Sequence, residues 1–437
     1  MEFQTYTLDN GLRIILLPTQ SRVVYCGYAI AAGSRHEEPG EEGLAHFCEH
    51  LTFKGTEHRS ALQILNSLER VGGDLNAFTN KEHTVYYAMV MQQHLGRAID
   101  LLTDIVFAST YPQAEIDKEV EVVCDEIESY NDSPAELIYD EFENLLFQNH
   151  PLGHAILGEA KQLHTYTTAD ALRFARRHYR PDNAVFFVSA DVTMKQLVRM
   201  TEARMEGVRE CEGTGVRGYE GARLPSGLPS QDISGLSAQH NPGLSAQIIP
   251  DLSSASREII RHRGTHQAHV VVGCPAFNMH DDRRIALFLL NNILGGPAMN
   301  SRLNLALRER RGLVYTVESS MATYSDTGVW TTYFGCDTKD VKRCLRLVRH
   351  ELDRLMERPL SDSQLRAAKR QLIGQLTIAT DNRENFTIDV AKNYLYGGWE
   401  KDIDQLLAKI EALTAQQLHE VACQLFSEQR MTTLVYE

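Results

Sequence analysis

The sequence lacks two features that would point to particular classes of protein. Its apolar stretches, such as 23–32 and 184–188, fall far short of the roughly 20 residues that a membrane-spanning helix needs. It also lacks a basic excess, because 44 Lys and Arg stand against 58 Asp and Glu, a formal net charge of −14. Proteins that bind nucleic acid usually carry a basic face. We therefore expect neither a membrane span nor nucleic-acid binding.

Paired cysteine motifs are missing as well. The eight cysteines are scattered, without C-x-x-C spacing or clustering. This pattern favours buried reduced thiols over a disulfide framework or a cysteine-ligated metal. Residues 1–5 lack the basic start and the apolar run of a secretory signal, so the expected location is the cytoplasm.

The most informative feature that is present is the pentapeptide HFCEH at positions 46–50. On a helix, His46 and His50 project within about 40° of each other, with Glu49 about 60° to one side. The pattern H-x-x-E-H inverts the H-E-x-x-H motif of zinc proteases, so it predicts two zinc ligands and a general base, Glu49. The alternative is a polar helix face that carries two histidines by chance.

A zinc site of this kind needs a third protein ligand, because catalytic zinc keeps three and leaves one position open to water. The predicted helix 115–129 offers seven carboxylates: Glu115, Asp117, Glu119, Glu121, Asp125, Glu126 and Glu128. Glu119 and Glu126 are two helical turns apart and lie within about 20° of each other on one face. Composition alone favours a solvated acidic face for this helix, so these spacings do not choose the ligand.

The order of predicted elements indicates two related α+β domains. In the first half we predict a hairpin and a strand in 2–32, the H-x-x-E-H helix, a helix at 62–71, strands in 76–91, helices in 93–148, a helix at 168–179 and a strand at 184–190. In the second half we predict a strand at 266–272, a helix at 283–294, a strand pair in 313–334, helices in 340–380, and a final helix and strand.

Residues 212–256 separate the two halves and differ from both in composition. They are rich in Gly, Ser and Pro, and the run GLSAQ occurs twice, from positions 235 and 243. Such a composition predicts a flexible linker. We therefore expect a catalytic, zinc-binding domain at 1–211, the linker at 212–256 and a related domain at 257–437. The second half has no H-x-x-E-H, so it is expected to be non-catalytic.

Three separated motifs in the first half belong together: GSRHE at 33–37, GLAHFCEHLTFKGT at 43–56 and LNAFT at 75–79. Together they resemble the pitrilysin and mitochondrial processing peptidase family of zinc metallopeptidases, the inverzincins, in its short two-domain form. The resemblance covers nearly the whole chain apart from 212–256. It implies two related domains, each a mainly antiparallel sheet with helices packed on one face, that close as a clamshell chamber.

The resemblance also implies roles for particular residues. Glu126 stands at the position of the family's third zinc ligand, and Glu119 at that of a carboxylate that supports the ligands. The strand start Asn76, Ala77, Phe78 and Thr79 stands where the family pairs an edge strand with the backbone of an extended peptide. Taken alone, these four residues are an ordinary polar strand start.

The second half carries a signature of the same family in 294–296, 301–303 and 307–315. The resemblance implies that Arg308 and Tyr315 reach the peptide bound at the zinc. Both side chains can donate a hydrogen bond to a carbonyl oxygen, which suits a site where oxyanion charge develops. Either residue could instead be a buried structural hydrogen-bonding group.

We therefore expect a zinc-dependent endopeptidase that acts on extended peptides or unfolded polypeptide segments and is inactive when its halves are separated. The alternatives are a non-catalytic or partner-dependent assembly subunit of the same family, and a chamber that only binds peptides. The three expected ligands and Glu49 are all present, which favours the enzyme. The resemblance further implies an oligomer, most simply a homodimer, with a hetero-oligomer of related subunits as the alternative.

Overall fold

The computed structural model describes residues 3–205, 257–397 and 403–437. Within these ranges the strands are β1 (Gln4–Thr7), β2 (Arg13–Pro18), β3 (Val23–Ile30), β4 (Asp74–Thr79), β5 (Thr84–Met91), β6 (Ala184–Ala190), β7 (Arg257–Arg261), β8 (Ala268–Ala276), β9 (Val314–Thr323), β10 (Gly328–Cys336) and β11 (Thr432–Tyr436). The α-helices of the first half are α1 (Leu44–Thr52), α2 (Ala61–Glu69), α3 (Leu95–Phe107), α4 (Gln113–Asn131), α5 (Pro134–Leu146), α6 (Ala160–Leu163), α7 (Thr168–His178) and α8 (Met194–Met205). Those of the second half are α9 (Arg283–Gly295), α10 (Val341–Glu357), α11 (Asp362–Ala379), α12 (Arg383–Leu395), α13 (Ile403–Ala412) and α14 (Ala415–Leu425).

The strands form two sheets that repeat one arrangement. The strand order is β1-β2-β6-β3-β5-β4 in the first sheet and β7-β11-β8-β10-β9 in the second. In the first sheet β6 pairs parallel with β2 and antiparallel with β3, and in the second β11 pairs parallel with β7 and antiparallel with β8. The remaining pairs are antiparallel. The prediction of two related, mainly antiparallel α+β domains is therefore confirmed.

Each sheet has a large apolar core between one of its faces and most of the helices of its own half. In the first half, Tyr28 and Phe186 of the sheet are buried against Phe47 of α1 and Leu102 of α3. In the second half, alternate residues of β8 and the fully buried Trp330 pack against α9, α10 and α14. Helix α1 is thus embedded in a core, which fixes the residues that it carries.

The two domains also exchange a helix, a feature that the sequence pattern does not predict. Helix α5 of the first half packs Ile138 and Phe142 against Val271 and Tyr436, on the face of the second sheet opposite its main core. Helix α12 of the second half packs on the corresponding face of the first sheet. The expected helices on one face of each sheet are present, and the structure adds one helix from the other domain on the second face.

Two further expectations from the sequence can be compared with the structure, and a third cannot. None of the helices in the described part of the chain is both long and apolar enough to cross a membrane. The seven cysteines within the described ranges are free. The predicted linker 212–256 lies outside the described residues, and the domain boundaries drawn beside it stay predictions.

Candidate metal centre

Helix α1 carries the H-x-x-E-H motif, and Glu37 holds its start. The Glu37 carboxylate accepts hydrogen bonds from the backbone N–H groups of Gly43, at 3.0 Å, and Ala45, at 2.8 Å. These are amides of the kind that the beginning of a helix leaves without an intrahelical partner. Burial raises the pKa of Glu37, while the imidazole of His154, 2.9 Å away, and the two amides lower it. The GSRHE motif thus ends in the residue that caps the metal-site helix.

Gly43 is required at the start of α1 for two reasons. Its φ of 87° lies in the left-handed region, where residues with a side chain are strained. A Cβ at this position would also lie 2.7 Å from the carbonyl oxygen of Leu157 and 2.8 Å from the Cα of Gly158. The close approach of these two backbones sets the direction in which α1 enters the core.

Helices α1 and α4 bring the three expected ligands together. Nε2 of His46 lies 3.8 Å from Oε1 of Glu126, and Nε2 of His50 lies 3.5 Å from Oε2 of the same carboxylate. Within residues 3–205, 257–397 and 403–437, this is the one group of at least three His, Cys, Asp or Glu side chains whose possible ligand atoms all lie within 4.8 Å of one another. The related second domain contributes no such group from its described residues.

This donor set fits zinc. Ligand atoms about 2.0–2.2 Å from one tetrahedral ion stand roughly 3–4 Å apart, which agrees with the distances between the imidazoles and Glu126. Burial, with a smaller effect of His50, lowers the pKa of His46 to about 3, so this ring keeps the free nitrogen lone pair that a ligand needs. The Glu126 side chain is 43% exposed, so the group is open to solvent on the side of α4.

Glu119 lies behind His50, on the side away from Glu126. Its Oε1 is 3.0 Å from Nδ1 of His50, and Nζ of Lys54 is 2.5 Å from its Oε2. Burial raises the pKa of Glu119, but the hydrogen bonds from His50 and Lys54 outweigh it and lower the pKa, so this group stays a carboxylate. A proton held on Nδ1 leaves the lone pair of Nε2 directed towards Glu126, which is the tautomer that metal binding requires.

Glu49 lies beside the three candidate ligands, on the same buried helix. Its side chain accepts a hydrogen bond at Oε2 from the Thr79 hydroxyl, at 2.6 Å, and its Oε1 accepts none from the described residues. Burial raises the pKa of Glu49, and Glu126 adds to this, while the Thr79 hydroxyl and His50 lower it. A carboxylate with a raised pKa and one free oxygen is suited to take up and return a proton.

Strand β4 contains the four residues that the resemblance assigns to peptide binding. It is an edge strand, since β5 is its one partner among the described residues. Alternation along the strand turns Ala77 and Thr79 towards α1, whereas Phe78 packs on the opposite face beside α12. Asn76 donates to Asp74 at 2.9 Å. The sequence pattern does not predict the hydrogen bond of Thr79 to Glu49. The period of two along β4 predicts only that Thr79 lies on the same face as Ala77.

Arg308 and Tyr315 contact each other within the second domain. Arg308 lies in a π-helical turn, Asn304–Glu309, with its guanidinium carbon 6.0 Å from the centre of the Tyr315 ring. Tyr315, in β9, is 83% exposed. Within the described chain, neither residue forms a hydrogen bond or ion pair with the first domain. Tyr315 is therefore not a buried structural group, and the substrate role of both residues stays a prediction.

Comparison with known proteins places the chain in a family. The sequence model for insulinase (peptidase family M16) matches residues 13–160, and that for the peptidase M16 inactive domain matches 165–372. An uncharacterized zinc protease of Bacillus subtilis is 31% identical over 98% of this chain and 97% of its own length. This chain belongs to peptidase family M16. A second relative, an uncharacterized zinc protease of Streptomyces coelicolor, is 33% identical over 95% of this chain and 85% of its own.

Solved structures share the fold of this chain. A protease from Helicobacter pylori superposes with a TM-score of 0.85 at 22% identity, covering 100% of this chain and 99% of that one. A peptidase M16 inactive domain from Pseudomonas fluorescens gives 0.83 at 18% identity, with coverage of 100% and 98%. The second family match begins at residue 165 and so includes β6, which lies inside the first sheet between β2 and β3.

Proposed function

We propose that this M16 protein is a zinc-dependent endopeptidase that hydrolyses extended peptides or unfolded polypeptide segments in a chamber between its two domains. The observation that carries the proposal is the convergence of His46, His50 and Glu126 beside the buried carboxylate of Glu49. The family membership and the names of the relatives support a protease in general. The particular mechanism rests on the geometry.

His46, His50 and Glu126 would hold the zinc. When bound, zinc lowers the pKa of a coordinated water and polarises a scissile carbonyl group. Glu49 takes a proton from the attacking water at its free Oε1 and later returns it to the leaving amine. Thr79 keeps Oε2 occupied and so orients the carboxylate, while Glu119 orients the His50 ring.

Substrate binding is assigned to both domains. The unpaired edge of β4, with Asn76, Ala77 and Phe78, presents backbone groups to which an extended peptide can add as a further strand. Arg308 and Tyr315 would donate to the peptide from the second domain, which agrees with the exposure of Tyr315. Recognition through backbone groups places few demands on the sequence of the substrate. The homodimer and the cytoplasmic location expected from the sequence stay predictions.

The test combines metal analysis with cleavage of a mixed peptide library, using the full chain and its Glu49→Gln variant. We expect about one zinc ion per chain in both proteins, in line with a catalytic site of three ligands and one open position. Internal cleavage is expected of the wild type alone, because Gln keeps the size of Glu49 but cannot accept the proton. Equal cleavage by both proteins would remove Glu49 from the mechanism. Zinc binding without cleavage of any peptide would favour the non-catalytic or partner-dependent subunit.

A further inference from the structure

The two domains meet through the tips of two related hairpins, and one of these hairpins carries Thr79, the partner of Glu49. The turn between β4 and β5, residues 80–83, contacts the turn between β9 and β10, residues 324–327. In the order of strands, β9 and β10 occupy in the second sheet the place that β4 and β5 occupy in the first. The strand beside Glu49 therefore has a direct neighbour in the other domain.

Glu82 lies at the centre of this contact, with a side chain that is 5% exposed. Its two carboxylate oxygens each lie 3.1 Å from the backbone nitrogen of Ser325, and the Ser325 hydroxyl donates to Oε1 at 2.7 Å. Beyond the end of α12, the Tyr396 hydroxyl donates to the backbone carbonyl of Glu82. Two separate segments of the second domain thus hold a single residue of the first.

Glu82 is connected to Glu49 through a short hairpin. Thr79 and Thr84 are the last facing pair of β4 and β5, and the backbone N–H of Asn80 closes the turn on the carbonyl of His83 at 2.8 Å. The turn therefore has little freedom to move independently of β4. A shift of Glu82 would be passed to Thr79, whose hydroxyl donates to Glu49.

Arg35 connects the same junction to helix α1. Its guanidinium is 2.5 Å from Oε1 of Glu82 and donates to Asp326 Oδ1 at 3.0 Å, so it bridges the two domains. Arg35 lies two residues before Glu37, which anchors the start of α1. Both elements that hold Glu49, its own helix and the strand of Thr79, are therefore joined to the second domain at this point.

We infer that Glu82 is a positioning residue through which the second domain orients the Glu49 carboxylate, by way of Thr79. This inference rests on the proposed peptidase function. It gives the second domain a part in the chemical step that is separate from substrate contacts by Arg308 and Tyr315. It also predicts that loosening the hold on Glu82 lowers kcat, while KM and zinc content stay unchanged.

The test is a double-mutant cycle in the full zinc-loaded chain that joins Ser325→Ala to Thr79→Val. Ser325→Ala removes the hydroxyl that donates to Glu82 and accepts from Arg35, and we expect kcat to fall about tenfold at unchanged KM. In the Thr79→Val background, where the bond to Glu49 is already lost, Ser325→Ala should change kcat less than about twofold. Thr79→Ser keeps the hydroxyl and should restore the sensitivity to Ser325→Ala. The matched control is Ser320→Ala, since the Ser320 hydroxyl bonds to Thr331 within the second domain.

Equal effects of Ser325→Ala in both backgrounds, or an effect on KM alone, would overturn the inference. A wild type that cleaves no peptide would instead refute the proposed function, and hydrogen–deuterium exchange would then decide about Glu82. Faster exchange at residues 74–79 in Ser325→Ala than in Ser320→Ala would support the positioning of β4 from the second domain. Identical exchange in the two variants would overturn it.

Discussion

The substitution Glu119→Gln removes the charge behind His50 and leaves the three candidate ligands in place. In the wild type, Glu119 lies 3.0 Å from Nδ1 of His50 and 2.5 Å from the Lys54 ammonium. A glutamine oxygen can still accept from Nδ1, but its NH2 group would face the Lys54 ammonium, so two donors would oppose each other. We therefore expect weaker zinc binding without a change of ligands.

The magnitude follows from the loss of a charged acceptor. A hydrogen bond to a charged group contributes about 1.5–3 kcal/mol, against about 1 kcal/mol for a neutral pair. The difference of about 0.5–2 kcal/mol corresponds to a rise of about 2- to 30-fold in the Kd for zinc. This lies towards the lower end of the ~10–100-fold effect that such supporting partners usually have.

The assay is zinc titration in competition with a chromogenic chelator, at neutral pH and with the metal-free protein as the starting state. Glu121→Gln is the matched control, because Glu121 is an exposed carboxylate on the same helix, α4. Thermal unfolding of the metal-free forms shows whether either substitution alters the apo fold. A Kd for Glu119→Gln within twofold of the control value would refute the supporting role of Glu119.

Three further predictions concern the fold that carries the centre. Gly43→Ala should unfold α1 and abolish zinc binding, because the new Cβ would clash with the backbone of Leu157. The control Gly40→Ala has a φ of 92° but nothing within 4 Å of its Cβ. It should lower the free energy of unfolding, measured in a urea titration, by only about 1–2 kcal/mol. Phe142→Ala should lower the free energy of unfolding by about 3–5 kcal/mol, since Phe142 is fully buried where α5 packs on the second sheet. Asp326→Asn should destabilise the protein at pH 7, but urea midpoints should approach those of the wild type as the pH falls below about 4, the unfolded pKa of an aspartate. Burial raises the pKa of Asp326, but Arg35 lowers it overall. The carboxylate therefore contributes to the free energy of unfolding above its unfolded pKa, and this contribution is lost as acid protonates it.

The core of the candidate metal centre was predictable because its spacing is local. Helix geometry alone places His46, Glu49 and His50 on one face. The choice of the ligand on α4 required the family resemblance as well, since Glu119 and Glu126 lie on the same face of that helix. In the structure, their separation of about 10 Å along the helix lets one reach Nδ1 and the other Nε2 of the same His50 ring. Periodicity predicts which residues share a face, but not which of them meets which nitrogen.

Other features depend on long-range packing and could not be read from local pattern. An amphipathic helix shows that one of its faces is buried, but not which sheet covers that face, so the exchange of α5 and α12 was missed. After residue 380 the sequence pattern predicts one helix, whereas the structure has α12, α13 and α14. Glu82 lies in a polar turn whose sequence resembles any solvated loop, and the sequence does not show that Ser325 of the other domain approaches it.

The exchanged helices affect how one can test whether peptidase activity requires both domains. A fragment of residues 1–211 lacks α12, so the face of the first sheet formed by Ile15, Val85 and Phe187 would be exposed to water. The fragment would also lack Ser325 and Tyr396, the residues of the second domain that donate hydrogen bonds to Glu82. Inactivity of such a fragment would therefore follow from lost packing, whether or not the second domain touches the substrate. Point substitutions in the full chain keep both sheets covered. They can therefore separate the proposed hold of the second domain on Glu49 from its proposed contacts with the peptide.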